Sequence, residues 1–254
     1  MANFSPSSDA YSIKQATAGS TVTEKLESAR DNTNVHSMFF SSYGNPGQYL
    51  DILARPLASV NFYTLYRGHL IFDLSGADAG TIESATLKLY AYSADSGGDL
   101  NNGHKFYVVG HDYGGTLNAA LDDVNPTNYE AGDWTSTDVP TYSSEITVNG
   151  VSAGDLISVT LNSAAITDIN STLASGDFDI GLVSHYDYKD DFTLTPSITT
   201  NQYCGVRVAS VDHTTSGYRP VLELNYAAPT TGPFKIQAGA RVQVSSGKFK
   251  VGTI

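Results

Sequence analysis

Ser84-Ala85-Thr86-Leu87-Lys88-Leu89-Tyr90-Ala91-Tyr92 alternates apolar residues with polar or amphipathic ones at a period of two. Only an extended strand converts that pattern into two distinct faces, because successive side chains point to opposite sides of a sheet. The buried face is expected to be Ala85, Leu87, Leu89 and Ala91, and the residues between them face water. Such a strand packs on a core from one side only, as antiparallel sheets commonly do.

Working outward, residues 49–53, 66–74, 105–110, 144–148, 155–161, 178–183, 202–208 and 219–226 also read as strands. The turn cluster Tyr43-Gly44-Asn45-Pro46-Gly47 precedes the first of them, and Ser75-Gly76-Ala77-Asp78-Ala79-Gly80 follows the second. A long polar passage runs from Gly114 to Ser144 and holds the single tryptophan, Trp134. Only residues 163–173 place apolar side chains (Ile166, Ile169, Leu173) at helical spacing, which predicts one short helix across an end of the sandwich. Charged residues make up just 16% of the chain, too few for a set of exposed amphipathic helices. The expected fold is all-β, an antiparallel β-sandwich of the jelly-roll kind with a short C-terminal β-hairpin, and 254 residues suffice for its core.

Three parts are expected: a jelly-roll domain over residues 1–226, a linker over 227–233 and a basic hairpin over 234–254. The linker is Ala227-Ala228-Pro229-Thr230-Thr231-Gly232-Pro233. Beyond it, Lys235, Arg241, Lys248 and Lys250 are accompanied by no acid, so these four cations leave the preceding chain at −16 against −12 overall. They interleave with Ile236, Val242, Val244, Phe249 and Val251, the pattern of a hairpin turning at Ser245-Ser246-Gly247. A lone two-stranded hairpin is marginal in water, so it requires a surface to pack on, either its own domain or a partner.

The net charge of −12 argues against nucleic acid or an anionic membrane as partner, since both would repel the chain at long range. One cysteine, Cys204, excludes an intramolecular disulfide and reads as a small buried filler. Met1 is followed by a polar stretch without the basic and apolar regions of a secretory signal, and no segment reaches the roughly 18 apolar residues of a membrane span. A protein starting here is expected to leave its cell by some route other than ordinary export.

Several stretches together carry a family resemblance. They are Tyr43-Gly44 with Leu50-x-Ile52, then Tyr66-Arg67 through Phe72-Asp73-Leu74-Ser75-Gly76, and Thr81-Ile82-Glu83-Ser84-Ala85-Thr86-Leu87-Lys88-Leu89-Tyr90. Asp133-Trp134, Asp138-Val139 and Thr141-Tyr142 come next, then Thr160-Leu161-Asn162 with Ile169-Asn170. Asp179-Ile180-Gly181-Leu182 and Arg219-Pro220-Val221-Leu222-Glu223-Leu224-Asn225-Tyr226 complete the set. In this order the chain resembles the DNRLRE-domain proteins, carbohydrate-binding-module-like jelly rolls of bacterial surface proteins and phage structural proteins. The six-residue string behind the family name is absent, and the insert between Gly110 and Trp134 is long. Such a fold hosts adhesion, glycan binding and purely structural roles.

For a ligand site the best stretch is His185-Tyr186-Asp187-Tyr188-Lys189-Asp190-Asp191-Phe192, read as a polar loop. Tyr186 and Tyr188 would stack on sugar faces while Asp187 and Asp190 accept hydroxyl hydrogen bonds. The same acids, with Asp95 and Asp99, offer oxygen ligands to a structural calcium ion, but neither group has the spacing of a dedicated calcium loop, so no cofactor is assigned. No pair among Asp122, Asp123, Asp187, Asp190 and Asp191 is singled out for acid–base work, and the six histidines show no metal-ligand spacing. Arg67, with Asp73, and Arg219 are read as ion pairs at the edge of the core. Lys235, Ile236, Arg241, Val242, Val244, Lys248, Phe249, Lys250 and Val251 are the candidates for attachment or oligomerisation.

The expected function is non-catalytic: a virion-associated structural or adhesion protein, such as a phage head fibre, decoration protein or tail component. Its partners would be other virion or surface proteins reached through the tail, glycans, and further copies of itself in a homo-oligomer. A secreted or cell-surface glycan-binding module is the first alternative and a glycan-active enzyme the second.

Overall fold

The structure is a computed structural model describing residues 1–16, 24, 37–40, 49–57, 62–92, 105–110, 139–148, 151–173, 176–189, 204–228, 241–245 and 248–252. The alternating stretch at Ile82 forms a strand whose inward residues Ala85, Leu87 and Leu89 are fully buried, as its period requires. In chain order the strands are β1 (Ala2–Phe4), β2 (Ser8–Ala16), β3 (Ser37–Phe40), β4 (Tyr49–Leu57), β5 (Phe62–Asp73), β6 (Ile82–Tyr90) and β7 (Lys105–Gly110). They continue with β8 (Ile146–Thr147), β9 (Leu156–Thr160), β10 (Asp177–Ser184), β11 (Cys204–Ala209), β12 (Val221–Tyr226), β13 (Arg241–Ser245) and β14 (Lys248–Gly252). Two α-helices, α1 (Ser163–Thr172) and α2 (His185–Lys189), and a 3-10 turn at Ser216–Tyr218 complete the described elements. Neither helix is long or apolar enough to cross a membrane.

The strands pair antiparallel throughout and build two sheets of a sandwich. The smaller has the order β1-β12-β6-β9, so the first strand is tied beside β12 with Ala2 opposite Leu224. The larger runs β11-β4-β5-β10-β7-β8 and adds β2 and β3. Here β5 is the spine: β2 pairs with it from Tyr63 to Ile71, while its other edge takes β4 as far as Tyr66 and β10 from Gly68 onward. Between the sheets Leu87, Leu89, Leu222 and Leu224 meet Leu70, Phe72, Phe178, Ile180 and Leu182, all at most 1% exposed. Burial of so many large apolar side chains, each contributing about 1.5–3 kcal/mol, is the principal force holding the two sheets face to face.

Along β5 the larger sheet is buried on both faces. Leu70 and Phe72 of β5 point into the core, yet Arg67, His69 and Ile71, which alternate with them, are also at most 2% exposed. The smaller sheet has a wet outer face, with Thr86, Lys88 and Tyr90 of β6 half-buried and Leu156, Ser158 and Thr160 of β9 exposed.

Helix α1 lies close to the expected span and packs on β6 and β10, strands of different sheets. Asn162 caps it, its Oδ1 accepting from the backbone N–H groups of Ala164 and Ala165 at 3.0 and 3.1 Å. Asn170 clamps the helix to β6, accepting from Ile82 N at 2.8 Å and donating to Ile82 O at 3.0 Å. These two asparagines of the resemblance motif therefore have structural duties.

The strand expected over residues 144–148 shrinks to Ile146–Thr147, because the preceding Tyr142 and Ser143 are drawn inward instead. Tyr142 stacks on Phe178 with centroids 5.7 Å apart and donates its hydroxyl to Asp168 of α1. Gly110 makes this possible, since a Cβ there would stand 2.4 Å from the Tyr142 ring. The C-terminal strands β13 and β14 form a hairpin by themselves, with Ser245 opposite Lys248, and pair with no strand of either larger sheet.

Candidate functional site

The stretch 185–189, expected as part of a loop, is a helix that continues directly from β10. Ser184 starts it: its Oγ accepts a hydrogen bond from the backbone N–H of Asp187 at 3.3 Å, the bond of an N-cap serine. Serine three residues before an acid was the available signal for this helix start. The polar side chains of residues 185–191, which suit a loop equally well, obscured that signal.

The helix turns Tyr186, Asp187 and Tyr188 inward, with 6%, 1% and 3% exposure. Asp187 lies against the outer face of the larger sheet and takes a two-pronged ion pair from Arg67, Nε to Oδ2 at 2.6 Å and Nη2 to Oδ1 at 2.9 Å. Arg67 is itself wholly buried. This corrects the expected pairing of Arg67 with Asp73, whose exposed carboxylate instead accepts from Ser75 N at 2.8 Å. A hydrogen bond from the Ser75 side chain, then that backbone bond, hold the Asp73 carboxyl below its ordinary value. Asp187 also ceases to be a calcium ligand in waiting, because both of its oxygens face the guanidinium. Asp190, Asp95, Asp99, Asp122, Asp123 and Trp134 lie outside the described residues, as do Lys235 and Ile236. Of Arg241, Val242, Val244, Lys248, Phe249, Lys250 and Val251 the structure gives strand pairing alone.

Where β7, β8 and the start of α2 meet is a second polar cluster that sequence reasoning missed. Glu145, between Ser143 and β8, contacts Lys105 Nζ through Oε1 at 2.5 Å and accepts from the Tyr107 hydroxyl through Oε2 at 2.9 Å. His185 Nδ1 stands 2.6 Å from the same Oε2. Burial opposes the charged form of Glu145, but the hydrogen bonds from Lys105 and Tyr107 and the charges of His185 and Lys105 outweigh it and hold the carboxyl below its usual value. Burial first, then the bond to Glu145, pushes the Tyr107 phenol well up.

Tyr188 packs on Tyr107 with centroids 4.5 Å apart, shares a hydrogen bond with Thr141, and has its phenol raised by burial. Lys189 Nζ lies 5.3 Å from the Tyr107 centroid and 5.5 Å from that of Tyr188. Tyr186 and Tyr188, nominated for sugar stacking, are thus buried, Tyr188 against Tyr107 and Tyr186 edge-on to His185. No signal in the sequence joins Glu145 to Lys105 and His185, because the sheet pairing alone brings β7, β8 and the end of β10 together.

Arg219, expected in an ion pair, donates from Nε to the His213 carbonyl at 3.1 Å. Among the described residues no group of three or more histidines, cysteines and carboxylates could hold a metal ion. No protein-family model matches the chain, and no curated protein matches it in sequence.

Proposed function

We propose that the protein is a non-catalytic structural or adhesion component of a virion, in which a glycan-facing jelly roll of the DNRLRE-domain type is carried outward and the C-terminal hairpin docks it to a larger particle. The observation that carries this reading is the separation of β13–β14 from both sheets of the sandwich. A hairpin with four cations and no acid, on a chain whose remainder is at −16, is suited to an acidic partner surface. A two-stranded hairpin is marginal without a surface to pack on, and docking or self-association would supply one.

Deleting residues 233–254 and measuring both solution mass and association with the native particle tests the proposal. Loss of association, or a drop in oligomeric state, is expected. A truncated body that keeps its mass and its place on the particle overturns it.

A further inference from the structure

Far from Arg67 in the sequence, the rings of Tyr90, Tyr218, His213 and Tyr92 form a continuous run. Tyr90 and Tyr218 stack with centroids 5.4 Å apart at 27°. Tyr218 meets His213 at 5.5 Å, and His213 meets Tyr92 edge-on at 5.7 Å. Tyr90 is on the outer face of β6, and its ladder partner Leu156 of β9 shares that face. Leu156 is 48% and Tyr218 38% exposed, and with Met1 they are the exposed large apolar residues among those whose side chains are described.

The ring of Tyr218 is held in place despite its exposure. Its own N–H donates to Thr215 O at 2.9 Å, and Thr215 N donates to His213 Nδ1 at 3.1 Å. Arg219 braces the same segment through the His213 carbonyl. On the other side Gly154 seats the phenol: it has a φ of +82°, and a Cβ there would stand 2.9 Å from the Tyr218 hydroxyl oxygen. A large exposed ring fixed by its surroundings loses little freedom when something stacks on it, which is what a binding platform requires.

We propose that Tyr218, Tyr90 and Leu156 form a stacking platform for a neutral glycan. This deepens the glycan-facing part of the reading above and rests on it. Aromatic faces suit the C–H face of a pyranose, and the neighbouring Ser158 and Thr215, both exposed, offer hydroxyl partners. An anionic sugar is disfavoured, because the chain is strongly negative and Lys88, the cation on this face, is taken by Glu223.

Affinity electrophoresis of the full chain through gels containing soluble neutral glucans, mannans or galactans tests the platform. At least one polysaccharide is expected to retard the protein, with affinity falling at least tenfold in Tyr218→Ala and surviving in Tyr218→Trp, while the urea midpoint of each variant stays near that of the parent. No retardation by any of the three classes overturns the proposal, as does equal retardation of Tyr218→Ala. A dimeric solution mass that Tyr218→Ala returns to monomer also overturns it, by assigning the face to a second copy. The particle reading fails separately, through the tail deletion, so the two outcomes are distinguishable.

Discussion

Arg67 and Asp187, 120 residues apart in sequence, meet in a two-pronged ion pair with Nε to Oδ2 at 2.6 Å and neither side chain more than 1% exposed. It joins the spine strand β5 to helix α2 on the face of the larger sheet opposite the core between the sheets.

Removing one member of this pair leaves a buried charge without its partner, which costs about 3–5 kcal/mol. Arg67→Met or Asp187→Leu is expected to lower stability by that order, measured by urea unfolding. The double variant is expected to lose less than the two single losses combined, since it removes both charges together.

Gly110→Ala forces a methyl group to within 2.4 Å of the Tyr142 ring, and overpacking of this kind costs about 1–3 kcal/mol. Replacing Tyr142 by Leu in the Gly110→Ala background is expected to recover part of the loss. A thermal unfolding series on the two single variants and the double would read this directly.

Loss of the Asn162 cap is expected to destabilise the protein by about 1 kcal/mol in Asn162→Ala. Asn170→Leu is expected to cost more, because Ile82 N and Ile82 O both lose a partner at a part-buried site. Denaturant midpoints for the two variants would rank them.

The depressed carboxyl of Glu145 makes a pH-dependent contribution. A group whose folded value lies below its unfolded one stabilises the fold above the unfolded value, near 4.5, and loses that contribution as pH falls through the folded value. Glu145→Gln is therefore expected to be less stable than the parent at neutral pH, with the gap closing on acidification below pH 4.5. Urea midpoints of both proteins across the acid range give the comparison.

Burial and the bond to Asp168 raise the Tyr142 phenol above its ordinary value of 10.0, so its contribution is complete below that pH and is lost as pH rises through the folded value. In an ultraviolet titration Tyr142, Tyr107 and Tyr188 are expected to stay neutral while exposed tyrosines ionise. Tyr142→Phe should leave one fewer late-titrating phenol.

Much of the sandwich was legible from the chain. The alternation at residues 84–91 foretold the buried face of β6, and Ile166 and Ile169 marked helix α1, because a period of two or of 3.6 is a local property that burial on one side imposes. The stretch 185–189 was misread for the converse reason: its polar side chains find their partners on strands distant in sequence. A tyrosine in a polar stretch looks solvated unless the strand that covers it is known.

By itself, then, the sequence determined the all-β class, most of the strands from Tyr49 onward, the acidic body and the basic C-terminal hairpin, since each depends on residue type and near spacing, whereas β1, β2 and β3 were not read. Only the tertiary structure decided that Asp187 answers Arg67, that Glu145 gathers Lys105, Tyr107 and His185, and that the exposed ring of Tyr218 stacks on Tyr90. Those relationships depend on antiparallel pairing between strands remote in the chain, and that pairing is set by the burial of both sheets together rather than by any local stretch of residues.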